Sequence, residues 1–198
     1  KIASSYPGVR VVHEPKKGLP SARARGRLEA RGDFLAYIDA DSRLHPHWLP
    51  LATQIFKKYP AAVSISGPAK YWDATRWQKI VLGFFWWLSS PLMYRIVGYM
   101  IFGAHFIVQR DALEKIGGFD MGITFYGEDT DLARRLSQYG KTIFRMDFYI
   151  LSSARRFKKE GILKSNFVYT MNFLWPVLFK RPFTMTHKDI REAPHNHV

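Results

Sequence analysis

The order of segments along this 198-residue chain predicts an α/β layered fold with a mainly parallel sheet flanked by helices. Three observations predict it. Strand-length apolar runs alternate with helix-length segments over residues 9–66. The run 34–38 (Phe-Leu-Ala-Tyr-Ile) is apolar throughout, as expected of a strand buried on both faces. The composition, 47% hydrophobic and 23% charged, is that of a globular chain able to bury a core.

Taken in order, 9–13 reads as a short strand after the Tyr6-Pro7-Gly8 turn signal. Residues 18–31 read as a helix. Ala22, Gly26 and Ala30 recur every four residues, a small face suited to close approach to a sheet, and Arg23, Arg27 and Arg31 form a basic row. Gly32-Asp33 ends it. Strand 34–38, a helix over 47–59 and strand 62–66 follow. The stretch 80–94 is uncharged and aromatic. As a helix it is about 22 Å long, short of the roughly 20 residues a membrane span needs, and Ser89-Ser90-Pro91 and Arg95 interrupt it. It reads as an apolar helix lying in a membrane interface or packed under the sheet. Residues 99–108 resume as a strand, and 111–116 form a short helix closed by Gly117-Gly118. Residues 130–139 form an amphipathic helix, and 141–146 and 148–151 look like strands. A second uncharged run, 165–179, is broken by Pro176.

Thirty basic against sixteen acidic residues leave +14. The charge lies in the two flanks, around a nearly neutral middle third. Partners compatible with it are nucleic acid, an anionic membrane surface and phosphorylated small molecules. No aromatic-basic recognition motif favours nucleic acid, and the apolar runs are too long for a stacking platform. The absence of cysteine excludes disulfides, thiol chemistry and a Cys-based zinc site. No charged-then-apolar leader opens the chain, which begins at Lys1.

Four clusters can carry chemistry. Asp39 and Asp41, just past a buried strand, can hold a hard divalent ion together with a ribose or phosphate; a solvated loop capping the next helix is the alternative. Glu128-Asp129 precedes a helix, where acidic residues serve either as caps or as a rigidly held general base. Arg155 and Arg156 suit diphosphate recognition or a plain solvated patch with Lys158 and Lys159. Gly103-Ala104-His105 leaves room for a ligand or encloses a structural histidine. His187, His195 and His197 sit in a polar tail and suggest no metal site.

The order and spacing of these pieces resemble the family 2 inverting glycosyltransferases of the GT-A (Rossmann-like) fold. The likeness covers residues 9–157. It rests on Gly18-Leu19-Pro20-Ser21-Ala22-Arg23-Ala24-Arg25-Gly26, Gly32-Asp33-Phe34-Leu35-Ala36-Tyr37-Ile38-Asp39-Ala40-Asp41, Ile116-Gly117-Gly118-Phe119-Asp120 and Gly127-Glu128-Asp129-Thr130-Asp131-Leu132. The resemblance implies metal-dependent transfer of a sugar from a nucleotide-diphosphate sugar to an acceptor hydroxyl, with inversion. It implies a Mg²⁺ or Mn²⁺ cofactor held by Asp41 and Asp39, and Asp129 as catalytic base. Arg23, Asp39, Asp41 and Arg156 would bind the donor. Glu128, with Gly103, Ala104 and His105, would meet the acceptor, a lipid or polysaccharide precursor.

Ser153 to Phe157 looks like a degenerate Q-x-x-R-W motif, with Ser153 in place of Gln, which favours single-sugar transfer over polymer synthesis. Ala24 stands where many members have Asn. The family's opening strands have no counterpart here, so the expectation is an N-terminally truncated domain over 1–157. A basic, apolar, membrane-proximal extension over 158–198 would place the protein peripherally on the cytoplasmic side of a membrane. The competing expectations are an inactive remnant and a basic membrane-surface module without catalysis.

Overall fold

The computed structural model describes residues 2–123 and 127–179. Its elements in order are α1 (Leu19–Glu29), β1 (Phe34–Ile38), α2 (Trp48–Lys58), β2 (Ala62–Ser66), β3 (Ala69–Tyr71) and α3 (Arg76–Val97). There follow β4 (His105–Gln109), α4 (Arg110–Lys115), α5 (Glu128–Leu136), β5 (Lys141–Phe144), β6 (Ile150–Ser152), α6 (Arg155–Glu160) and α7 (Ile162–Phe179).

The main sheet has the order β1-β4-β2-β5. Strands β1, β2 and β5 run one way and β4 runs against them, because β4 pairs antiparallel with both neighbours while β2 and β5 pair parallel. The mainly parallel α/β layout read from the sequence is therefore present. A second, two-stranded sheet pairs β3 with β6 in parallel.

Side chains alternate across the main sheet and feed two cores. Phe106 and Val108 of β4 point to one face, where Leu113 of α4 and Leu132, Ala133 and Leu136 of α5 cover them. Ile107 points to the other, against Trp48, Ala52 and Ile55 of α2. Val63 and Ile65 would share a face in a regular strand, yet they serve opposite cores. A register shift between Ala62 and Ser64 separates them. A third cluster joins Tyr71, Leu82, Ile150 and Phe157, with Ile162 and Tyr169 of α7 packed on it.

Several elements differ from the sequence reading. Residues 9–13 form no strand and are largely exposed. Strand β1 is consequently an edge strand rather than one buried on both faces: Phe34 and Ile38 are 48% and 39% exposed. The small row Ala22, Gly26 and Ala30 packs against the core only at Ala30 and is exposed at Ala22 and Gly26. It lines an open groove of about 460 Å³ beside β1, and a Cβ on Gly26 would meet nothing. The basic row is not uniformly solvated, since Arg23 is buried. Residues 99–104 lie outside β4. Helix α3 runs unbroken for 22 residues through Ser89-Ser90-Pro91. Its N-cap Thr75 forms a capping box with Gln78, and the hydrogen bond that Pro91 forfeits is to the carbonyl of exposed Trp87. Of the C-terminal stretch to Phe179, Ile162 and Tyr169 pack on the third cluster, while Phe167, Leu178 and Phe179 are exposed. Residues 180–198, including His187, His195 and His197, lie outside the described residues.

At the crossing between β2 and β3, Gly67 passes so close to the carbonyls of Phe148 and Arg145 that a Cβ would stand 1.9 and 2.5 Å from them. Backbone cannot yield as a flexible side chain can. Gly67→Ala is therefore expected to destabilise the fold by at least about 2 kcal/mol. Gly83→Ala, at an exposed position within α3 where a Cβ meets nothing, should stabilise it by about 0.5–1 kcal/mol. Urea-unfolding midpoints of the two variants check both signs.

Candidate active site

The site forms at the C-terminal end of β1, where the chain leaves the sheet through Asp39-Ala40-Asp41. Open α/β sheets place ligands at such strand ends. Three segments distant in sequence converge there on Arg23. Its Nη1 donates to both carboxylate oxygens of Glu128, at 2.5 and 2.6 Å. Its Nη2 donates to the Gly103 carbonyl at 2.5 Å and lies 3.7 Å from Asp39 Oδ1. Arg23 and Glu128 are 7% and 3% exposed, so the pair is removed from water.

Local sequence explains why these side chains meet. Gly18 adopts φ 137° before α1 and Pro20 sits in its first turn, starting the helix with Arg23 one turn inside. Gly127 takes φ 80° at the start of α5, which places Glu128 and Asp129 in the first helical turn. There the macrodipole favours negative charge. Leu132, Ala133 and Leu136, one and two turns further along the same side of the helix, anchor it in the core. The 103–104 linker holds the carboxylates by its backbone. Gly103 N donates to Asp129 Oδ2 at 3.0 Å, and the Asp39 amide donates to the Ala104 carbonyl at 3.0 Å.

The electrostatics are those of crowded acids around one cation. Burial pushes the Glu128 carboxyl up to about 7, against the pull of Arg23, with Asp129 adding to the rise. Burial also raises Asp129, opposed by the Gly103 amide and by Arg23. Asp39 is raised by its crowded surroundings, opposed by Arg23 and reinforced by Asp41 and Asp129. A carboxylate raised in this way is a stronger base than one at its ordinary value, and the backbone contacts fix its position.

Asp41 stands on the outer rim. Its partner is Arg155, whose Nη2 donates to Oδ2 at 2.9 Å. Arg156, the arginine singled out from the sequence, instead faces Glu160 at 3.8 Å. Arg155 begins α6, and the turn before it is fixed by Asp73. Asp73 Oδ1 accepts from Ala154 N at 2.6 Å and its Oδ2 accepts from the Ser153 hydroxyl at 2.8 Å. Slight burial pushes the Asp73 carboxyl up, and these bonds, with Lys158, outweigh it and hold it lowered. The resemblance assigns the donor to Arg156, and neither Arg155 nor Asp73 is among the residues it implies. Arg155 had the same basic-pair signal as Arg156, and Asp73 carried none.

His105 is corrected. It is fully buried, with Nδ1 accepting from Trp48 Nε1 at 3.3 Å and Nε2 facing the Gly67 carbonyl at 3.0 Å. A carbonyl only accepts, so the ring is the neutral Nε2–H tautomer. Burial lowers its pKa to about 4. It is a core residue out of reach of an acceptor. Gly103 and Ala104 do reach the site, through their backbones.

Among the described residues no three metal-ligating side chains gather. Asp39 and Asp41 nevertheless fit a hard cation. They offer oxygen donors only, both are partly open to solvent, and the Arg155 guanidinium already sits on Asp41 as a positive charge. Mg²⁺ and Mn²⁺ commonly take one or two carboxylates and complete their shell with substrate phosphates.

The profile of glycosyl transferase family 2 matches residues 1–117, more than half of the chain. The chain belongs to glycosyl transferase family 2. The profile described as "N-terminal domain of galactosyltransferase" matches residues 87–160. Polypeptide N-acetylgalactosaminyltransferase 12 of Mus musculus is 26% identical over 162 residues, 71% of this chain and 28% of that protein. An uncharacterized glycosyltransferase, YibD, of Escherichia coli (strain K12) is 41% identical over 44 residues, 22% of this chain and 13% of that protein. In fold, the chain is similar to a mannosyltransferase from Pyrobaculum calidifontis solved with GDP-Man and Mn²⁺. The TM-score is 0.53 at 19% identity, covering 85% of this chain and 48% of that one. The chain thus spans less than a third of the curated relatives it matches and about half of its structural neighbour. The GT-A fold read from the motifs is the fold of that neighbour.

Removing one member of the buried pair leaves the other without a countercharge. Arg23→Met should destabilise the fold by about 3–5 kcal/mol, and Arg23→Met/Glu128→Leu should recover most of that loss. Urea unfolding of the single and double variants measures the coupling. Glu128 has a folded-state pKa near 7 against an ordinary 4.5, so the folded chain keeps the proton where the unfolded chain has released it. Its contribution is therefore full below about 4.5 and is lost as pH rises through about 7. Glu128→Gln should flatten the stability profile across that window, read by thermal melts at stepped pH.

Proposed function

We propose that this chain carries the catalytic face of an inverting, metal-dependent glycosyltransferase. It would move one sugar from a nucleotide-diphosphate sugar to an acceptor hydroxyl of a lipid or polysaccharide precursor. The observation that carries the proposal is the Arg23-centred junction, which holds Asp129 on the Gly103 amide within the electrostatic reach of Asp39. Membership of family 2 supports sugar transfer, and the Mn²⁺ and GDP-Man of the structural neighbour support the donor class and the ion.

In this reading Asp129 takes the proton from the acceptor hydroxyl as its oxygen attacks the anomeric carbon. The bond from that carbon to the diphosphate oxygen breaks, with both electrons leaving on the diphosphate. One displacement from the opposite side inverts the centre. Asp41 and Asp39 would hold a Mg²⁺ or Mn²⁺ ion, which supplies charge neutralisation for the departing diphosphate. Arg155, which donates to Asp41, would meet diphosphate oxygens. Glu128 stays with Arg23 and keeps α5 in place. The Ser153 hydroxyl is engaged by Asp73, which supports single transfer over the polymerising pattern.

Asp129→Asn should lower transfer by about 10²–10⁴-fold while nucleotide-sugar binding persists. Turnover of a donor panel with Mn²⁺, set beside calorimetric donor titration, separates the two effects; near-normal turnover removes Asp129 as the base. The activity of the unsubstituted protein should fall as pH drops through the raised Asp129 pKa, since the base must be ionised. Asp41→Ala should abolish the Mn²⁺ dependence of donor binding, and an unchanged titration would take Asp41 out of the ligand set. Absence of donor binding in the unsubstituted protein would favour the inactive-remnant reading.

A further inference from the structure

Helix α3 carries an apolar stripe that no part of the described chain covers. Trp77, Ile80, Phe84, Trp87, Leu88 and Ile96 recur at helical spacing along one side, and each is more than half exposed. From Trp77 to Ile96 the stripe is about 29 Å long at roughly 1.5 Å per residue. A monomer rarely leaves so long an aromatic strip in water.

The opposite side of α3 is fastened to the domain along its length. Leu82 is buried in the third cluster. Trp86 meets the rings of Phe102 and Phe144, and the Tyr94 hydroxyl donates to the Thr142 carbonyl of β5 at 2.9 Å. A helix clamped this way along one face cannot be surrounded by lipid, although its length and composition would allow a span. What remains open to it is to lie flat, with the stripe facing outward.

Charge selects the occupant. Helix α3 contains Arg76, Lys79 and Arg95 and no carboxylate, and α7, which packs beside it, contains Lys164 and no carboxylate. A second copy seated on this face, in either orientation, would set cations against cations. Anionic headgroups would neutralise them, with Arg76 and Lys79 at one end and Arg95 near the other reaching out from the apolar stripe along their alkyl stems. Trp77 and Trp87 suit the boundary between headgroup and acyl chain.

We infer that the exposed face of α3 seats the protein on an anionic bilayer surface, with the helix in the plane of the interface. This does not depend on the sugar-transfer reading. The placement has a geometric consequence: Trp86 on the inner side of α3 packs on Phe102, and the next residue, Gly103, holds Asp129. The candidate site therefore lies directly behind the docked helix.

The test is flotation of the 198-residue chain with vesicles of phosphatidylcholine alone or with added phosphatidylglycerol, at low and high salt. The expected result is recovery with the phosphatidylglycerol vesicles, reduced by salt. Phe84→Ser/Trp87→Ser should weaken partitioning by about tenfold or more. Arg76→Gln/Lys79→Gln/Arg95→Gln should bring anionic vesicles down to the level of neutral ones. Both variants change exposed side chains, and circular dichroism checks that they fold. Quenching of tryptophan fluorescence in the unsubstituted chain by bromine-labelled lipid gives a readout that needs no variant. Equal recovery of variant and unsubstituted chain, or no vesicle binding, overturns the inference. So does a dimer, seen by sedimentation without lipid, that Phe84→Ser/Trp87→Ser dissolves.

Discussion

A guanidinium buried among carboxylates organises this molecule. Arg23 is too costly to desolvate alone, and the chain meets that cost with two bonds to Glu128, one to the Gly103 carbonyl and the nearby charge of Asp39. Each partner belongs to a different element. The contact with Glu128 spans 105 residues of sequence and the contact with Gly103 spans 80. Helix α1, the end of β1, the linker before β4 and the first turn of α5 are thereby fixed to one point. Asp39, Glu128 and Asp129 are brought close together around one cation, which offsets their mutual repulsion.

The same junction explains why β4 starts only at His105. A strand continued back through 103–104 would spend those backbone groups on the ladder. Instead the Gly103 amide goes to Asp129 and its carbonyl to Arg23, and only the Ala104 carbonyl continues the ladder, as a last rung to the Asp39 amide. Gly103 leaves little room to spare: a Cβ there would lie 3.3 Å from Asp129 Oδ2 and 3.5 Å from Arg23 Nη2. His105, one position beyond, turns into the core and supports the linker from below through Trp48 and Gly67.

The net charge of +14 divides into two kinds of cation. Some are spent inside the fold, as with Arg23 and with Arg134 and Arg135, which both bind Asp131 at 2.7 Å. Arg135 also donates to the carbonyls of Ile116 and Gly118, tying the double-glycine turn to α5. Others stand outside, on α3 and α6, where no acid on the same helix offsets the cations of α3. The first kind builds the site and the second leaves the outside of α3 positively charged.

Local chemistry made much of this legible. Apolar runs bounded by Gly, Pro and Asp marked β1, α2 and β2 to within a residue or so, and the D-x-D and E-D segments fell at the strand end and helix start that their flanking residues demanded. By itself the sequence determined the α/β order, the family resemblance and the identity of the acids Asp39, Asp41, Glu128 and Asp129. It could not show which arginine meets which acid. Arg155 and Arg156 are chemically alike, and only the turn set by Asp73 aims the first at Asp41 and leaves the second to Glu160. Nor could it show that Arg23 leaves its basic row for the interior, that β1 is an edge, or that His105 lies in the core. Each of these depends on what packs against a residue from a distant part of the chain. Periodicity and spacing describe neighbours in sequence, whereas burial and pairing are settled by neighbours in space.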